Sequence, residues 1–313
     1  MPAFSASAPA KIILFGEHAV VYGKPAIAVP VRQLSAKAIL KPGAGEPAGR
    51  VRLHSAQIGL DSDLTELPHE HPIRAIIEAT LEHLGISALP ACSIRISSTI
   101  PVATGLGSGA AVSVAIARAV SAFLGHPLSD EAVSRLALQV EKIHHGAPSG
   151  IDNSVIAYNK PIYFVKDKPI EALRLGHSLQ FMIADTGVPS LTRETVGGVR
   201  RRWQKDPEGY NTLFDGVAKL SKKARKALER GDDSDLGRLM DDNQTLLERI
   251  GVSTPGLERL ITAARAAGAL GAKLSGGGGG GNIISLVSPA TEKAVGQALK
   301  KAGAARVFYT QVD

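Results

Sequence analysis

The sequence contains one cysteine, Cys92, and few aromatic residues. A single cysteine excludes an internal disulfide and any metal site built from several cysteines. Aromatic residues make up only 4% of the chain, so we expect the core to consist of Ala, Val, Leu and Ile. No apolar run reaches the roughly 18 residues that a membrane-spanning helix needs, and no basic segment precedes the first apolar stretch, as it would in a signal peptide. These absences favour a cytoplasmic protein.

The composition is that of a globular protein, with 313 residues, 44% hydrophobic and 21% charged. The net charge of +7 would suit nucleic acid, an anionic surface or an acidic small-molecule ligand. Basic residues cluster at 200–202 and 222–226, but aromatic residues that would stack on bases are largely missing there. We therefore interpret these clusters as solvated helix faces and expect neither a nucleic-acid nor a membrane partner.

Periodicity and breaker residues divide the chain into short strands and longer helices. Helices are predicted at 72–84, from the glycine-rich segment to about 124, and from an N-cap at Ser129 to about 145. The stretch 190–267 is predicted to be mostly helical, with breaks near Asp206-Pro207, Gly231 and Gly251 to Pro255. Strands are predicted at 8–15, 25–31, 33–40, 50–54, 91–97, 161–165, 171–175, 179–184, 271–274, 283–287 and 305–309. Because the predicted elements are mainly strands before residue 178 and mainly helices after it, we predict domains at 1–178 and 179–313, each of the α+β class.

The most informative segment is PVATGLGSGAAVSVAIARAV, residues 101–120, where glycines precede an Ala/Val-rich helix. Glycines let backbone N–H groups turn inward, and a helix start adds unpaired donors, so this pattern is suited to a nucleotide phosphate. The alternative is a tight turn into a buried helix. Neither standard phosphate loop fits, because Gly23-Lys24 is followed by proline and the glycine spacing at 105–109 is not GxGxxG.

A second segment, EKIHHGAPSGID, holds Glu141 and Asp152 on either side of a predicted helix end and turn. One acid could hold a metal ion while the other accepts a proton. The alternative is that Asp152 is a helix N-cap and Glu141 a surface residue. His144 and His145 are adjacent, so on a helix their side chains would point about 100° apart and are unsuited to a shared metal.

A third segment, KIILFGEHAVVYGKPAI, joins an apolar strand to Lys11, Glu17, His18 and Lys24. Polar residues at the end of an apolar strand indicate a binding edge. The alternative for Lys11 is an ordinary surface position at the start of a strand.

These segments, together with DTGVPSLT and KLSGGGGGGNIISL, resemble the galacto-, homoserine-, mevalonate- and phosphomevalonate (GHMP) kinase superfamily. GEHAVVYGKPA is most similar to the first motif of its mevalonate kinases. The resemblance implies an α+β, two-domain small-molecule kinase fold with an N-terminal mixed α/β half, a C-terminal ferredoxin-like half and the active site in the cleft between them. It implies ATP and Mg²⁺ as cofactors, mevalonate as substrate and a product that feeds isoprenoid synthesis, and it allows a homodimer.

Two alternatives remain beside that function. One is a kinase of the same superfamily that acts on phosphomevalonate, homoserine or a sugar. The other is a diphosphomevalonate decarboxylase or a ligand-binding relative without activity. The joint presence of Lys11, Glu141 and Asp152 fits the kinase better than either.

The resemblance also implies roles for individual residues. Asp152 matches the catalytic aspartate, Lys11 the lysine beside it, and Glu141 the magnesium ligand. Where animal members have two adjacent serines this chain has Ser108 and Gly109, so Ser108 or a water is expected to complete the magnesium shell. The implied nucleotide-binding residues are Pro101, Gly105, Leu106, Gly107, Ser108, Gly109 and Ala110. The implied substrate-binding residues are Lys11, Glu17, His18, Ser149, Asp152, Thr186 and Gly277.

Overall fold

The structure, a computed structural model, describes residues 3–47, 49–145, 148–190 and 192–313. It separates into two compact units, each assembled from several stretches of the chain. The first unit consists of Met1–Ala10, Arg32–Pro101 and Gly107–Asn159, and the second of Lys11–Val31, Val102–Leu106 and Lys160–Asp313. The domain boundary at 178 stays a prediction.

Strands β1 and β2 pair with each other, and each has residues in both units. In the first unit, β2 is antiparallel to β5, β5 is parallel to β3, and β3 is antiparallel to β4. In the second unit, the beginning of β2 is antiparallel to β6, which pairs with β7. The bounds are Phe4–Phe15 (β1), Ala26–Pro42 (β2), Val51–Ser55 (β3), Leu60–Asp63 (β4), Cys92–Ser98 (β5), Ile162–Phe164 (β6) and Glu171–Ala172 (β7).

The helices of the first unit pack on one another: α1 and α3 lie against α2, and α4 lies against α2 and α3. Helix α2 is buried around most of its circumference, because small residues such as Ala111, Ala115 and Ala119 let neighbouring elements approach closely. The N-cap prediction for Ser129 is confirmed, since its Oγ accepts the N–H of Ala132 at 3.2 Å. The bounds are Pro72–Leu84 (α1), Ser108–Phe123 (α2), Asp130–His145 (α3) and Ile151–Tyr158 (α4).

The second unit contains a further antiparallel sheet with the strand order β11-β8-β10-β9. In chain order these strands form a β-α-β-β-α-β arrangement, with the fourth strand beside the first and the third beside the second, which is the ferredoxin-like topology. The bounds are Leu179–Asp185 (β8), Gly271–Ser275 (β9), Asn282–Val287 (β10) and Arg306–Val312 (β11), with helices Thr192–Lys205 (α5), Pro207–Arg230 (α6), Asp233–Ile250 (α7), Pro255–Ala266 (α8) and Glu292–Lys301 (α9).

The core of the second unit is mainly aliphatic, as the scarcity of aromatic residues predicts. Leu247, Leu257, Ile261 and Ile283 have no solvent exposure. Among the described residues of this unit, buried phenylalanines add to the aliphatic side chains: Phe15, Phe164, Phe181 and Phe214. Within the described ranges, no helix is both long and apolar enough to cross a membrane.

The structure corrects the predicted elements at a few places. The strands predicted at 25–31 and 33–40 are the single strand β2, which continues through the exposed residues Arg32 and Gln33. The strand predicted at 171–175 is shorter, and β4 and α4 had no predicted counterpart. Residues 146 and 147, in the break predicted after α3, lie outside the described residues.

Candidate active site

The glycine-rich segment ends at the start of α2. Gly107 is the N-cap of this helix and has a φ of 78°, a left-handed conformation that glycine adopts without strain. The N–H of Ala111 donates to the carbonyl of Gly107 at 2.9 Å. Gly109 is exposed, and a Cβ built on it would meet no atom within 4 Å. Because the first N–H groups of a helix have no partner within it, this open helix start is suited to bind a phosphate.

The residues just before it, 102–106, belong to the second unit and are held there by hydrogen bonds. The N–H of Ser190 donates to the carbonyl of Ala103 at 3.0 Å, and Nδ2 of Asn282 donates to the carbonyl of Thr104. Ala103 has a φ of 59°, which is uncommon for a residue with a Cβ. The glycine-rich segment therefore has a defined conformation before it enters α2.

The glycine run at 276–281 connects β9 to β10 and lies close to other backbone segments of the second unit. Gly278 and Gly280 have φ values of 68° and 156°. A Cβ on Gly278 would lie 2.2 Å from the carbonyl oxygen of Val252, and one on Gly280 would lie 2.6 Å from that of Val188. Both steric room and backbone conformation therefore require glycine at these positions.

Lys11 lies within β1 and is 2% exposed, so its alternative interpretation as a surface residue is wrong. Its N–H donates to the carbonyl of Leu106 at 3.0 Å, which ties the strand to the segment 102–106. Two residues later, the N–H of Ile13 donates to Oγ of Ser275 at 3.0 Å, and this hydroxyl donates to the carbonyl of Ile13 at 3.1 Å. The backbone of Lys11 is thus fixed by two neighbouring segments of the second unit.

Directly after β1 the chain makes a tight turn centred on His18. The N–H of Ala19 donates to the carbonyl of Glu17 at 2.6 Å, and His18 has a φ of 60° and a ψ of −49°. A bond between residues two apart with these angles is the strained form of the γ-turn. Such a conformation costs on the order of 1–3 kcal/mol and persists only where surrounding contacts impose it.

The carboxylate of Glu17 is one of these contacts, and it is 1% exposed. It forms an ion pair with the ammonium group of Lys273 on β9, whose side chain is completely buried. Nζ of Lys273 also donates to the carbonyl of Leu274 at 2.6 Å, and Nδ2 of Asn243 lies 3.3 Å from the second carboxylate oxygen. Burial lowers the pKa of Lys273, whereas the carboxylate of Glu17 opposes that shift. Breaking a buried pair by removing one partner typically costs about 3–5 kcal/mol.

The imidazole of His18 is the second contact that holds the turn. Its Nε2 lies 2.9 Å from the carbonyl oxygen of Gly277. Since a carbonyl can only accept, Nε2 carries the proton and Nδ1 is an acceptor. Nδ1 is buried and has no hydrogen-bond partner among the described residues. Burial lowers the pKa of His18 to about 4, so the ring is neutral at pH 7.

Thr186 lies just after β8 and binds the last residue of the glycine run. Its N–H and its hydroxyl each donate to the carbonyl of Gly281 at 2.9 Å. The hydroxyl also accepts the N–H of Val188 at 3.2 Å. Thr186 is half-buried, so its hydroxyl is fixed but is not sealed from solvent.

In the first unit, Asp152 is the second residue of helix α4, which begins after Gly150. Gly150 is the N-cap with a φ of 89°, so the alternative interpretation of Asp152 as the N-cap is wrong. Asp152 is half-buried. A carboxylate in the first turn is stabilised by the positive end of the helix dipole.

Helix α4 has only eight residues, and polar contacts fix both of its ends. Near its start, Nδ2 of Asn153 donates to the carbonyl and the hydroxyl of Ser134, both at 2.9 Å. Oγ of Ser149 accepts the N–H of Ile151 at 3.4 Å. Near its end, the guanidinium of Arg118 donates to the carbonyl of Ala157. These contacts fix the backbone that carries Asp152.

Glu141 lies on α3, four residues before the helix ends, and is half-buried, as is Ser108 at the start of α2. Within the described ranges, no group of three or more His, Cys, Asp and Glu side chains is arranged to hold a metal ion. Mg²⁺ typically takes one or two carboxylates and completes its shell with waters and substrate phosphates. One carboxylate with a serine hydroxyl in the same unit therefore fits Mg²⁺ better than a metal that needs a full protein cage.

The predicted site residues fall into two sets, one in each unit. Direct bonds within the second unit link Lys11 to Leu106, His18 to Gly277, and Thr186 to the glycine run. Gly105 and Glu17 lie in the same unit. The set in the first unit comprises Pro101, Gly107, Ser108, Gly109, Ala110, Glu141, Ser149 and Asp152.

The polar residues that support the second set are not among the site residues predicted from the sequence. Lys273 is the clearest, since it is a lysine inside GAKLS, a strand that is buried at every position. Asn243, Ser275 and Asn282 likewise have buried side chains and bind the turn, β1 and the segment 102–106. One feature of the sequence could have indicated Lys273: it is a lysine within an apolar strand that leads into a glycine run. Because a lysine is rarely buried without a partner, this position predicts a buried acidic partner.

Two family models match the chain. The model of the GHMP kinases N terminal domain matches residues 71–160, and the model of the GHMP kinases C terminal domain matches residues 224–305. Mevalonate kinase from Pyrococcus abyssi is 38% identical over 318 residues, which cover 95% of this chain and 92% of that protein. The chain belongs to the mevalonate kinase family of the GHMP kinases.

Solved mevalonate kinase structures agree with this assignment. The crystal structure of the Methanococcus jannaschii enzyme superimposes with a TM-score of 0.87 at 29% identity and covers 100% of this chain and 99% of its own. The crystal structure of the L. major enzyme in complex with R-mevalonate has a TM-score of 0.83 at 28% identity. It covers 99% of this chain and 95% of its own. The predicted fold class is confirmed, and the chain is an enzyme of the kinase class with ATP and Mg²⁺ as cofactors.

Proposed function

We propose that this chain transfers the γ-phosphoryl group of ATP to the 5-hydroxyl of (R)-mevalonate and releases 5-phosphomevalonate and ADP. The observation that carries the proposal is the 38% identity to a mevalonate kinase over 95% of the chain. The segment GEHAVVYGKPA, which resembles the first motif of mevalonate kinases, agrees with this substrate. The product would be consumed by the route to isopentenyl diphosphate.

In the proposed reaction, Asp152 accepts the proton of the 5-hydroxyl while that oxygen attacks the γ-phosphorus. The bond between the γ-phosphorus and the bridging oxygen of ADP breaks, and the electron pair leaves with ADP. Lys11 places a positive charge beside the oxygen that becomes the alkoxide. Most of the rate enhancement comes from positioning and charge neutralisation, as is usual for phosphoryl transfer.

The segment 105–109 and the start of α2 would hold the ATP phosphates through backbone N–H groups. Pro101, Leu106 and Ala110 lie within or near that segment and are buried. Glu141 and Ser108 would hold Mg²⁺, which supplies positive charge to the phosphate oxygens. The half-buried positions of both side chains and the open space at Gly109 fit this role.

The alcohol substrate would contact Glu17, His18, Ser149, Thr186 and Gly277, in addition to Lys11 and Asp152. His18 fits a contact with a substrate hydroxyl, because its buried Nδ1 is an acceptor without a described partner. Both carboxylate oxygens of Glu17 already have protein partners. A contact of Glu17 with substrate would therefore use the remaining acceptor site of one of these oxygens.

An ADP-release assay tests the proposal directly. The purified protein is incubated with Mg²⁺ and ATP, and in separate reactions with mevalonate, phosphomevalonate, homoserine or galactose. We expect ADP release with mevalonate, and phosphate on its 5-oxygen by ³¹P and ¹³C NMR. Turnover only with one of the other three acceptors would overturn the proposal.

We also infer that the enzyme acts in the cytoplasm, where ATP and its acidic substrate are dissolved. The resemblance also allows a homodimer. Light scattering coupled to size-exclusion chromatography tests this assembly, and a mass near 32.6 kDa would identify a monomer instead.

A further inference from the structure

The pair formed by Glu17 and Lys273 is unusual, since neither side chain has measurable solvent exposure. A buried ion pair is weak evidence for stability, because removing two charges from water offsets most of their attraction. Apolar residues of similar volume would fill the same space at little cost. A structural role in the core alone therefore does not account for a lysine in a strand that is otherwise apolar apart from Ser275.

What distinguishes this pair is its place beside the strained turn. Glu17 precedes His18 in the γ-turn, and Lys273 lies four residues before Gly277, the partner of the His18 ring. Two adjacent turn residues are thus bound through their side chains to one continuous segment, β9 and the start of the glycine run. Asn243 on α7 adds a third bond, to the second oxygen of Glu17.

These bonds have a chemical consequence for His18. The bond from Nε2 to Gly277 favours the tautomer in which Nδ1 is an acceptor, and in the folded chain this bond occurs together with a φ of 60° at His18. If the turn relaxed to an unstrained φ, the ring would move away from Gly277. The proton could then reside on either ring nitrogen. The bond between Glu17 and Lys273 opposes that relaxation, because it fixes the residue before His18.

We propose that Lys273 is a positioning residue for the alcohol substrate: its bond to Glu17 holds the strained turn at His18, so that the ring keeps its proton on Nε2 and presents Nδ1. Lys273 touches neither reactant in this role and acts through Glu17 and His18. The assignment rests on the proposed function, in which His18 contacts the alcohol.

The central variant is Lys273→Met, which removes the ammonium but keeps much of the side-chain volume. We expect KM for mevalonate to rise about tenfold or more, with KM for ATP within about twofold of wild type. The matched control is Lys293→Met, which removes an exposed lysine from α9 of the same unit. This control should leave both constants unchanged, and an unchanged KM for mevalonate in Lys273→Met would overturn the proposal.

Lys273→Met leaves a buried carboxylate without its cation and is itself destabilising. The double variant Lys273→Met with Glu17→Gln removes both charges, so we expect its denaturation midpoint to return towards wild type. If the pair served stability alone, the His18 ring would also return to its wild-type state. If Lys273 instead positions the turn, the His18 ring of the double variant should remain altered.

The ring is measured directly by ¹⁵N NMR of histidine-labelled, ligand-free enzyme, with His18→Asn used to assign its signals. Wild type should show a single neutral tautomer with the proton on Nε2. Both Lys273 variants should show averaged tautomers and a loss of the bond to Gly277. Because this readout needs no turnover, it tests the role of Lys273 separately from the proposed substrate. A wild-type enzyme that is inactive with mevalonate would overturn the proposed substrate. Wild-type His18 signals in both variants would overturn the role of Lys273.

Discussion

The Nε2–H of His18 donates to the carbonyl oxygen of Gly277 at 2.9 Å, and the two residues are 259 positions apart in sequence. The bond joins the turn after β1 to the glycine run after β9. It also defines the state of the ring, because the proton on Nε2 leaves Nδ1 as an acceptor. A neutral, oriented histidine is therefore built into the folded state.

The first prediction is that stability falls between pH 6.5 and pH 4. Burial lowers the pKa of His18 from 6.5 to about 4, so in this window the unfolded chain binds a proton that the folded chain does not. The resulting contribution, about 3 kcal/mol at pH 7, is fully present above pH 6.5 and is lost as pH falls to 4. Denaturant unfolding at several pH values measures it.

His18→Asn isolates this contribution, because asparagine tolerates positive φ better than other residues with a Cβ. Its stability should depend less on pH between 6.5 and 4 than that of wild type. His126→Asn, which changes an exposed histidine, is the control and should follow the wild-type curve. Parallel curves for wild type and His18→Asn would contradict the assignment.

The second prediction concerns Asp152 as the proton acceptor. Asp152→Asn keeps the size of the side chain in the first turn of α4 but removes the base, so kcat should fall by about 10²–10⁴. ATP affinity, measured by calorimetry, should remain unchanged. Asp233→Asn is a matched control, since Asp233 is also an acid in the first turn of a helix and its pair with His177 is solvent-accessible. Near-wild-type turnover of Asp152→Asn would identify a different base.

Most of the fold could be predicted from the sequence, because its long helices have clear signals at their ends. Breaks at Asp206-Pro207, Gly231 and Gly251 separate α5, α6, α7 and α8 as predicted. Helix α4 could not be predicted this way, since Asn153 and Ser154 are poor helix formers. In the structure both side chains are buried, and they bond to Ser134 and to the carbonyl of Gly150.

The motifs of the candidate site were visible in the sequence, but the residues that support them were not. Glycines and acids in short segments indicated a phosphate loop and a reactive carboxylate. The contact between Lys273 and Glu17 spans 256 residues, and the one between Asn243 and Glu17 spans 226. No local pattern encodes such pairs, because they exist only after β9 and α7 have packed together.

The third prediction addresses the metal ligands. Ser108→Ala should raise the Mg²⁺ concentration needed for half-maximal activity, because it removes the hydroxyl proposed to face the ion. Gly109→Ser should fold normally, since its Cβ enters open space and serine has a higher helix propensity than glycine. Combined with Ser108→Ala, it should lower the Mg²⁺ requirement again by restoring a hydroxyl one residue further along.

Gly109→Ala is the control for that series, because it adds the Cβ without the hydroxyl. It should leave the Mg²⁺ requirement at the wild-type value. Activity titrated with Mg²⁺ at saturating ATP gives all four values. If Ser108→Ala had the wild-type Mg²⁺ requirement, a water rather than the serine would occupy that position of the shell.

The fourth prediction separates two reasons for glycine in the run at 276–281. Gly278→Ala forces a Cβ to within 2.2 Å of the carbonyl oxygen of Val252 at a φ of 68°. Gly45→Ala has the same conformational problem, with a φ of 80°, but its Cβ meets no atom within 4 Å. The left-handed conformation alone costs about 1–2 kcal/mol in a residue with a Cβ. Gly278→Ala should therefore destabilise the fold by clearly more than Gly45→Ala in denaturant unfolding.

The same pair of variants also distinguishes their effects on activity. Displacement at Gly278 would be transmitted along the run to Gly277, the partner of His18, so KM for mevalonate should rise in Gly278→Ala. Gly45 lies in the loop between β2 and β3, and Gly45→Ala should retain the wild-type KM even where its stability is reduced. Equal losses of stability in the two variants would mean that the backbone at Gly278 moves enough to accommodate the added Cβ. Glycine would then be required there for backbone conformation rather than for close packing against Val252.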